Sequence, residues 1–494
     1  MNVTLLPGKQ ARVMDDELSS VILGPGVAAQ AAYRQAMEAA VAMIAENASR
    51  HSIHSGVNAD GLRGFLAALE VCPERGTGVF AALEEIGIPA VRHALDVGNP
   101  ATMAHLHCPV AVPALAAEVL ISATNQSLDS WDQSPFATLV EERVLAWLTA
   151  FCGLSAEAGG SFTSGGSQSN MTALYLAAER HGAVARSRGV IFASEQAHFS
   201  IRKSASILGF AGDAVIAVAT DDEGRMSAAA LRTAIENATG HGRAPVAVVA
   251  TAGTTDLGAI DPLADIADLA ASHGLWLHVD AAYGGGLLFS RHRHRLAGME
   301  RADSIALDFH KMLFQPISCG VLLLGDGANF SPLATKADYL NPEVSIFGDV
   351  PNLVESSVQT TRRSDALKVL MTLRSIGCEG LDALVCKTLD NATSAAEAIR
   401  ARAYLHLAQQ PSLSTVLFRY VSPHGAERSD ELTLTIRTEL FRTGVAALAT
   451  TVLDGRVHFK LTLLNPNSTP DVIGRVLDAI GDMARELEND HVRT

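Results

Sequence analysis

Basic residues are in short supply: 38 lysines and arginines stand against 53 aspartates and glutamates, giving a formal net charge of −15 with no long basic stripe to offset it. Nucleic acid is therefore a poor partner, because phosphate binding draws on clustered cations. Cysteine is sparse as well. The six (Cys72, Cys108, Cys152, Cys319, Cys378 and Cys386) form no CxxC pair, which argues against a zinc ribbon and against a disulfide framework, and fits a reducing compartment. Long apolar runs are missing: no uncharged, continuously apolar run reaches the roughly 18 residues of a membrane span. The opening MNVTLLPGKQARVMDDE also lacks the apolar centre of a secretion signal. A cytoplasmic protein with no membrane partner is expected.

What is present points to an enzyme of ordinary α/β composition. The 494 residues leave room for two or three domains, and 48% hydrophobic, 18% charged and 40 glycines fit a compact fold. From about Val27 to Glu85 the spacing is helical, as in AAYRQAMEAAVAMIAENASR and LRGFLAALE. PALAAEVLISATNQS reads as a helix, SLDSWDQSP as a loop, and EERVLAWLTAFCG as an amphipathic helix stopped by Gly153. Beyond about Gly160, short apolar runs (GVIFAS, AVIAVAT, PVAVVATAG, GLWLHVDAA, SIALDF, GVLLLG) alternate with helical ones, which predicts a mainly parallel sheet covered on both faces. After Lys368 a helix leads to further short strands, STVLFRYV and RVHFKLTLL, and so to a second, smaller α/β domain.

The chemistry concentrates at strand ends. Lys311 follows the strand SIALD behind Asp308 and His310, a position suited to Schiff-base formation, although a lone lysine is far more often a solvated surface group. Asp280 ends the strand GLWLHVD, where α/β sheets bind ligands; an acidic partner there suits a pyridinium nitrogen, and a helix cap is the simpler alternative. In GGSFTSGGSQSNMTAL, glycines precede a helix whose amino terminus favours a phosphate. His198 in SEQAHFS follows a strand and can stack on a flat ring or serve as an ordinary loop histidine. The hydroxyls of VVATAGTTDLGAIDP, Thr251 among them, suit a phosphate or phenolic oxygen or ordinary turn chemistry.

The ordered set TSGGSQSN, AHFSIRKS, ATAGTTDLGAIDP, HVDAAYGG and DFHK resembles the group II pyridoxal-phosphate-dependent amino-acid decarboxylases. The flanking AHLHCPVAVPALAAEVLISATNQSLDSWDQSP and PNLVESSVQTTRRSDALK are similar to the branch acting on diamino acids, which holds L-2,4-diaminobutyrate decarboxylases and siderophore-pathway lysine decarboxylases. The resemblance implies a fold-type I α/β homodimer: a helical amino-terminal dimerisation segment (1–145), a large domain for pyridoxal 5'-phosphate (146–375) and a small α/β domain (376–494). It implies Lys311 as the Schiff-base lysine, Asp280 on the pyridine nitrogen and His198 stacked on the ring. Gly166, Ser167 and His310 match phosphate-site positions, and Thr251 and Ala282 match positions lining the ring. Asp308 stands where the aromatic enzymes carry Asn, Lys460 where they carry Arg, and Tyr339 is a candidate for the catalytic-loop tyrosine. No metal is implied.

The implied reaction is α-decarboxylation of a diamino acid, with diaminobutyrate going to 1,3-diaminopropane and carbon dioxide. Lysine or ornithine, an aromatic or acidic amino acid, another fold-type I activity and a silent relative are the alternatives. A second ammonium needs a counter-charge, and Asp129 and Asp132 beside Trp131 are the candidates, with capping of the next helix as their competing role.

Overall fold

A computed structural model describes residues 21–47, 52–335, 348 and 350–493; Tyr339 and residues 341–347 lie outside them. Seven apolar runs form one sheet: β1 (Gly159–Thr163), β2 (Gly189–Ser194), β3 (Val215–Val218), β4 (Ala244–Thr251), β5 (Trp276–Ala281), β6 (Ser304–Asp308) and β7 (Gly320–Leu324). Their order is β1-β7-β6-β5-β4-β2-β3, and the pairings among β2 to β6 are parallel, whereas β7 runs antiparallel to both its neighbours. Every residue of β2, β5, β6 and β7 is buried, as a sheet covered on both faces requires. Register sets Thr251 opposite Asp280 and Asp280 opposite Ala306, so the carboxyl ends of β4, β5 and β6 form a single ledge.

A second, antiparallel sheet follows in the order β10-β11-β9-β8, from β8 (Leu405–Leu407), β9 (Thr415–Tyr420), β10 (Ala449–Leu453) and β11 (Arg456–Thr462). The helix Asp365–Arg400 serves both sheets. Ala366, Val369, Leu381 and Val385 enter the first core, with a kink at Gly377 between Val369 and Leu381, and Ala392, Ala395, Ala396 and Ile399 enter the second. The sheets also meet directly, because the Tyr283 hydroxyl lies 2.8 Å from Ser414 Oγ and 3.0 Å from Thr415 Oγ1. Residues from the amino-terminal third join the small domain: Met103 N donates to Ala447 O and Met103 O accepts from Thr462 N, with the Met103 side chain wholly buried.

The helix Pro135–Phe151 is tied to the segment before Asp365 by a buried, bidentate ion pair, Arg362 Nη1 to Glu141 Oε2 at 2.6 Å and Nη2 to Oε1 at 2.5 Å. Removing one partner of such a pair strands the other's charge, whereas replacing both with apolar groups does not. Arg362→Ala is therefore expected to lower unfolding free energy by about 3–5 kcal/mol in urea titrations. The double variant Arg362→Met/Glu141→Leu should recover most of that loss.

Candidate active site

At the end of β1 the chain turns through Gly165, whose φ of 134° favours glycine, and enters the helix Gly166–His181. A Cβ at Gly165 would come within 3.0 Å of His310 Cε1, and one at Gly166 within 3.0 Å of Ala282 Cβ and 3.3 Å of Asp308 Oδ2. Two bare glycines thus open a floor at a helix amino terminus, a place that attracts anions. Ser167 is exposed on the first turn of that helix, and His310 Nδ1 is anchored 2.9 Å from Cys319 O.

The ledge carries the remaining groups. Asp280 Oδ2 accepts from Asn170 Nδ2 at 2.8 Å, and Oδ1 from Ala282 N at 3.1 Å. Behind them lies a chain of hydrogen bonds whose sense is set from the carboxylate end, because Asn170 gives Asp280 its nitrogen and so turns its oxygen, an acceptor, to His278. Trp276 Nε1 can only donate, and it reaches Ser304 Oγ at 2.7 Å; that hydroxyl then donates to His278 Nδ1 at 2.8 Å. His278 Nε2 donates to Asn170 Oδ1 at 2.9 Å, leaving the amide nitrogen for Asp280 and for Ser200 Oγ. The bonding pattern fixes His278 as the Nε2–H tautomer. Its complete burial pushes its pKa down to about 4.

Lys311 Nζ sits 3.2 Å from Asp308 Oδ2. His198 is held by Ser200, Nδ1 to Oγ at 2.8 Å; burial lowers its pKa, with the Asp280 carboxylate pulling the other way and Lys311 adding to the lowering. Thr251 N donates to Asp261 Oδ2 at 2.7 Å, and burial raises the Asp261 pKa to about 6. Two buried oxygens in this group, Thr251 Oγ1 and Asp308 Oδ1, make no hydrogen bond to the protein. A glycine-floored anion site, an uncrowded lysine, a buried carboxylate and two unsatisfied oxygens on one ledge fit pyridoxal phosphate. Its phosphate would lie at Gly165–Gly166 and its ring among Asp280, His198, Thr251 and Ala282.

The conserved domain of pyridoxal-dependent decarboxylases matches residues 69–421. The chain belongs to that family. Accordingly, this decarboxylase uses pyridoxal phosphate. It is 65% identical over 494 residues, all of both chains, to an L-2,4-diaminobutyrate decarboxylase of Rhizobium meliloti (strain 1021). It is 38% identical over 481 residues to one from Acinetobacter baumannii, covering 92% of this chain and 94% of that one. Among solved structures, the glutamate decarboxylase domain of a diaminobutyrate-pyruvate transaminase and L-2,4-diaminobutyrate decarboxylase from Vibrio parahaemolyticus superposes with a TM-score of 0.87 at 35% identity. That match covers 96% of this chain and all of that one.

The fold brings Lys311, Asp280, His198, Gly166, Thr251, Ala282 and His310 of the decarboxylase to one ledge, with Ser167 at its rim. Asp129 and Asp132 lie to the side, and they differ. Asp132 is exposed and accepts from Ser130 Oγ at 2.7 Å, while Asp129 is buried, with Thr361 Oγ1 3.4 Å from Oδ2 and nothing on Oδ1. Lys460, on β11, is engaged by Asp256 Oδ1 from the loop after β4 at 2.6 Å. Asn170 and His278 were not singled out from the sequence. The spacing His-x-Asp in LHVDA was the available signal, since alternate strand residues share a face.

His278 and Asp261 oppose each other in acid. Between pH 6.5 and about 4 the unfolded chain binds a proton that buried His278 excludes, so its contribution to stability is lost as pH falls. Asp261, with its pKa raised from 3.8 to about 6, contributes the opposite slope as pH falls through 6. His278→Gln removes only the first effect. Wild-type protein is expected to lose about 2 kcal/mol more than this variant between pH 7 and pH 5 in urea unfolding; equal losses would clear His278.

Proposed function

We propose that this decarboxylase converts L-2,4-diaminobutyrate to 1,3-diaminopropane and carbon dioxide. The observation that carries the reading is the 65% identity, end to end, with a relative named for that reaction. When bound, the cofactor supplies an electron sink for the pair left on Cα as carbon dioxide departs. Lys311 Nζ is the attachment point, oriented by Asp308. Asp280 keeps a proton on the pyridine nitrogen through its negative charge, and the neutral donors Asn170 and Ala282 N hold that carboxylate without cancelling it. His198, neutral at physiological pH, covers the ring face. Among the described residues, Lys311 and His198 are the candidates to return a proton to Cα; Tyr339, the candidate catalytic-loop tyrosine, lies outside them. Incubating the protein with diaminobutyrate, ornithine, lysine, glutamate and DOPA, and measuring amine by mass spectrometry, should give 1,3-diaminopropane as the main product. A keto acid, or faster turnover of any other substrate, would overturn the assignment. Borohydride reduction should fix the cofactor to Lys311, and Lys311→Ala should abolish turnover; a label on another lysine would remove Lys311 from this role.

The selectivity device in this reading is Asp129. It lies behind the wall of a cleft of about 580 Å3 whose lining includes Ser127, Thr361, Thr163 and Ser164 together with Arg362, Arg363 and Asp365; Thr361 Oγ1, 3.4 Å from Asp129 Oδ2, links it to that wall, and its buried Oδ1, without a hydrogen-bond partner, suits the distal ammonium of a diamino acid. Asp129→Asn is expected to raise KM for diaminobutyrate at least 100-fold, roughly the effect of removing a buried charge partner, with cofactor absorbance intact. Asp132→Asn should leave KM unchanged. No effect from either variant would redirect the search to Glu355.

The reading includes a cytoplasmic homodimer, with siderophore supply as the use of the diamine, an association carried by the branch resemblance alone. Residues 1–145 are its dimerisation segment. In support, Val112 (76% exposed) and Leu120 (50%) project from the helix Val112–Thr124, and Val41 and Ile44 from the helix Val27–Asn47, more apolar surface than a lone subunit leaves to water. Sedimentation should report a dimer. Deleting residues 1–95 should leave aggregated or cofactor-free protein, and a soluble, fully active monomer would contradict this.

A further inference from the structure

We infer that Lys368 is a positioning residue for Lys311: its buried ammonium pins the irregular segment on which Lys311 is carried. The inference rests on Lys311 as the cofactor lysine. From Phe309 to Cys319, between β6 and β7, the backbone follows no repeating structure, so no ladder fixes where Lys311 Nζ points. The side chain of Lys368 has no exposed surface. Its Nζ donates to Pro316 O at 3.1 Å and Ser318 O at 2.9 Å, and it lies 3.0 Å from Glu118 Oε1 and 2.8 Å from Asp365 Oδ1.

Two carboxylates alone would suffice to pair a buried ammonium, and Arg363 already bridges both of them. The two carbonyls are the telling contacts. They belong to the far half of the segment, and their fixed positions pass directly to Cys319, whose carbonyl accepts from Phe309 N and holds His310 Nδ1, each at 2.9 Å. Lys311 is therefore flanked by residues whose place depends on where the Lys368 ammonium sits. Glu118 fixes that ammonium to the helix Val112–Thr124, and Asp365 fixes it to the start of the helix Asp365–Arg400. A misplacement of about 1 Å at a reacting group can cost 10²-fold in rate, so a modest loosening here is expected to be read in turnover before binding.

The test compares holoenzyme of wild type, Lys368→Met, Lys368→Arg and Glu118→Gln. Hydrogen exchange of the 309–319 peptide is expected to speed up in Lys368→Met while that of 276–281 stays as in wild type. kcat should fall roughly tenfold or more with KM changed less than about twofold. Lys368→Arg, which keeps the charge and the donors, should recover part of both. A merely structural lysine would instead raise exchange in both peptides, or lower the Tm with kcat intact, and either result overturns the proposal. If Lys368→Met cannot be isolated folded, Glu118→Gln keeps the lysine and both carbonyl bonds while removing one anchor; unchanged exchange at 309–319 together with unchanged kcat overturns the proposal there. Borohydride mapping on the same wild-type sample separates the two readings, since a label away from Lys311 defeats the attachment site whatever the exchange data report.

Discussion

A carboxylate buried at the end of a parallel strand loses its hydration, and this chain compensates Asp280 with neutral donors in place of a cation. Asn170 Nδ2 and Ala282 N each engage one oxygen, and among the described residues no lysine or arginine forms an ion pair with it. Had a guanidinium filled that position, the negative charge would have been spent inside the protein. Neutral dipoles hold the group in place while its field still reaches outward, where a pyridine nitrogen can use it. The rest of the ledge follows from the same constraint. Asn170 can face Asp280 with its nitrogen only because His278 occupies its oxygen, and since that oxygen can only accept, the neutral His278 carries its proton on Nε2 and takes the Ser304 hydroxyl on Nδ1. Two residues on β5, one on β6 and one on the helix Gly166–His181 are thereby committed to the orientation of one side chain.

Much of this was legible in the sequence, for identifiable reasons. Central strands of a doubly covered sheet are apolar at every position, so GVIFAS, PVAVVATAG and GLWLHVDAA stand out, and the groups at their ends are where such sheets bind ligands. Lys311, Asp280 and the Gly165–Gly166 turn were visible because residue type and chain position pointed the same way. β8 and β10 were not visible: the first is three residues long, and the second, ATTVL, is half-polar and only partly buried. Lys368 was hidden for the opposite reason. A lysine in an amphipathic helix ordinarily reads as solvated, and nothing local reveals that its tip meets two carbonyls from the other side of the fold. Asp129 and Asp132 share a loop and a residue type; burial separates them, and burial is a property of the tertiary structure.

The helix Asp365–Arg400 acts as a phase ruler between the two sheets. Its near half is cut to fit one core and its far half the other, so the angular relation of the domains is written in residue count as much as in surface complementarity. One residue inserted between Leu389 and Ala392 would rotate everything after it by about 100°, carrying Ala392, Ala395, Ala396 and Ile399 off the small sheet. An insertion of seven residues would nearly restore the facing while lengthening the gap by about 10 Å. Surface loops in general tolerate changes of length, but this stretch is metrically closed: it admits substitution and resists insertion.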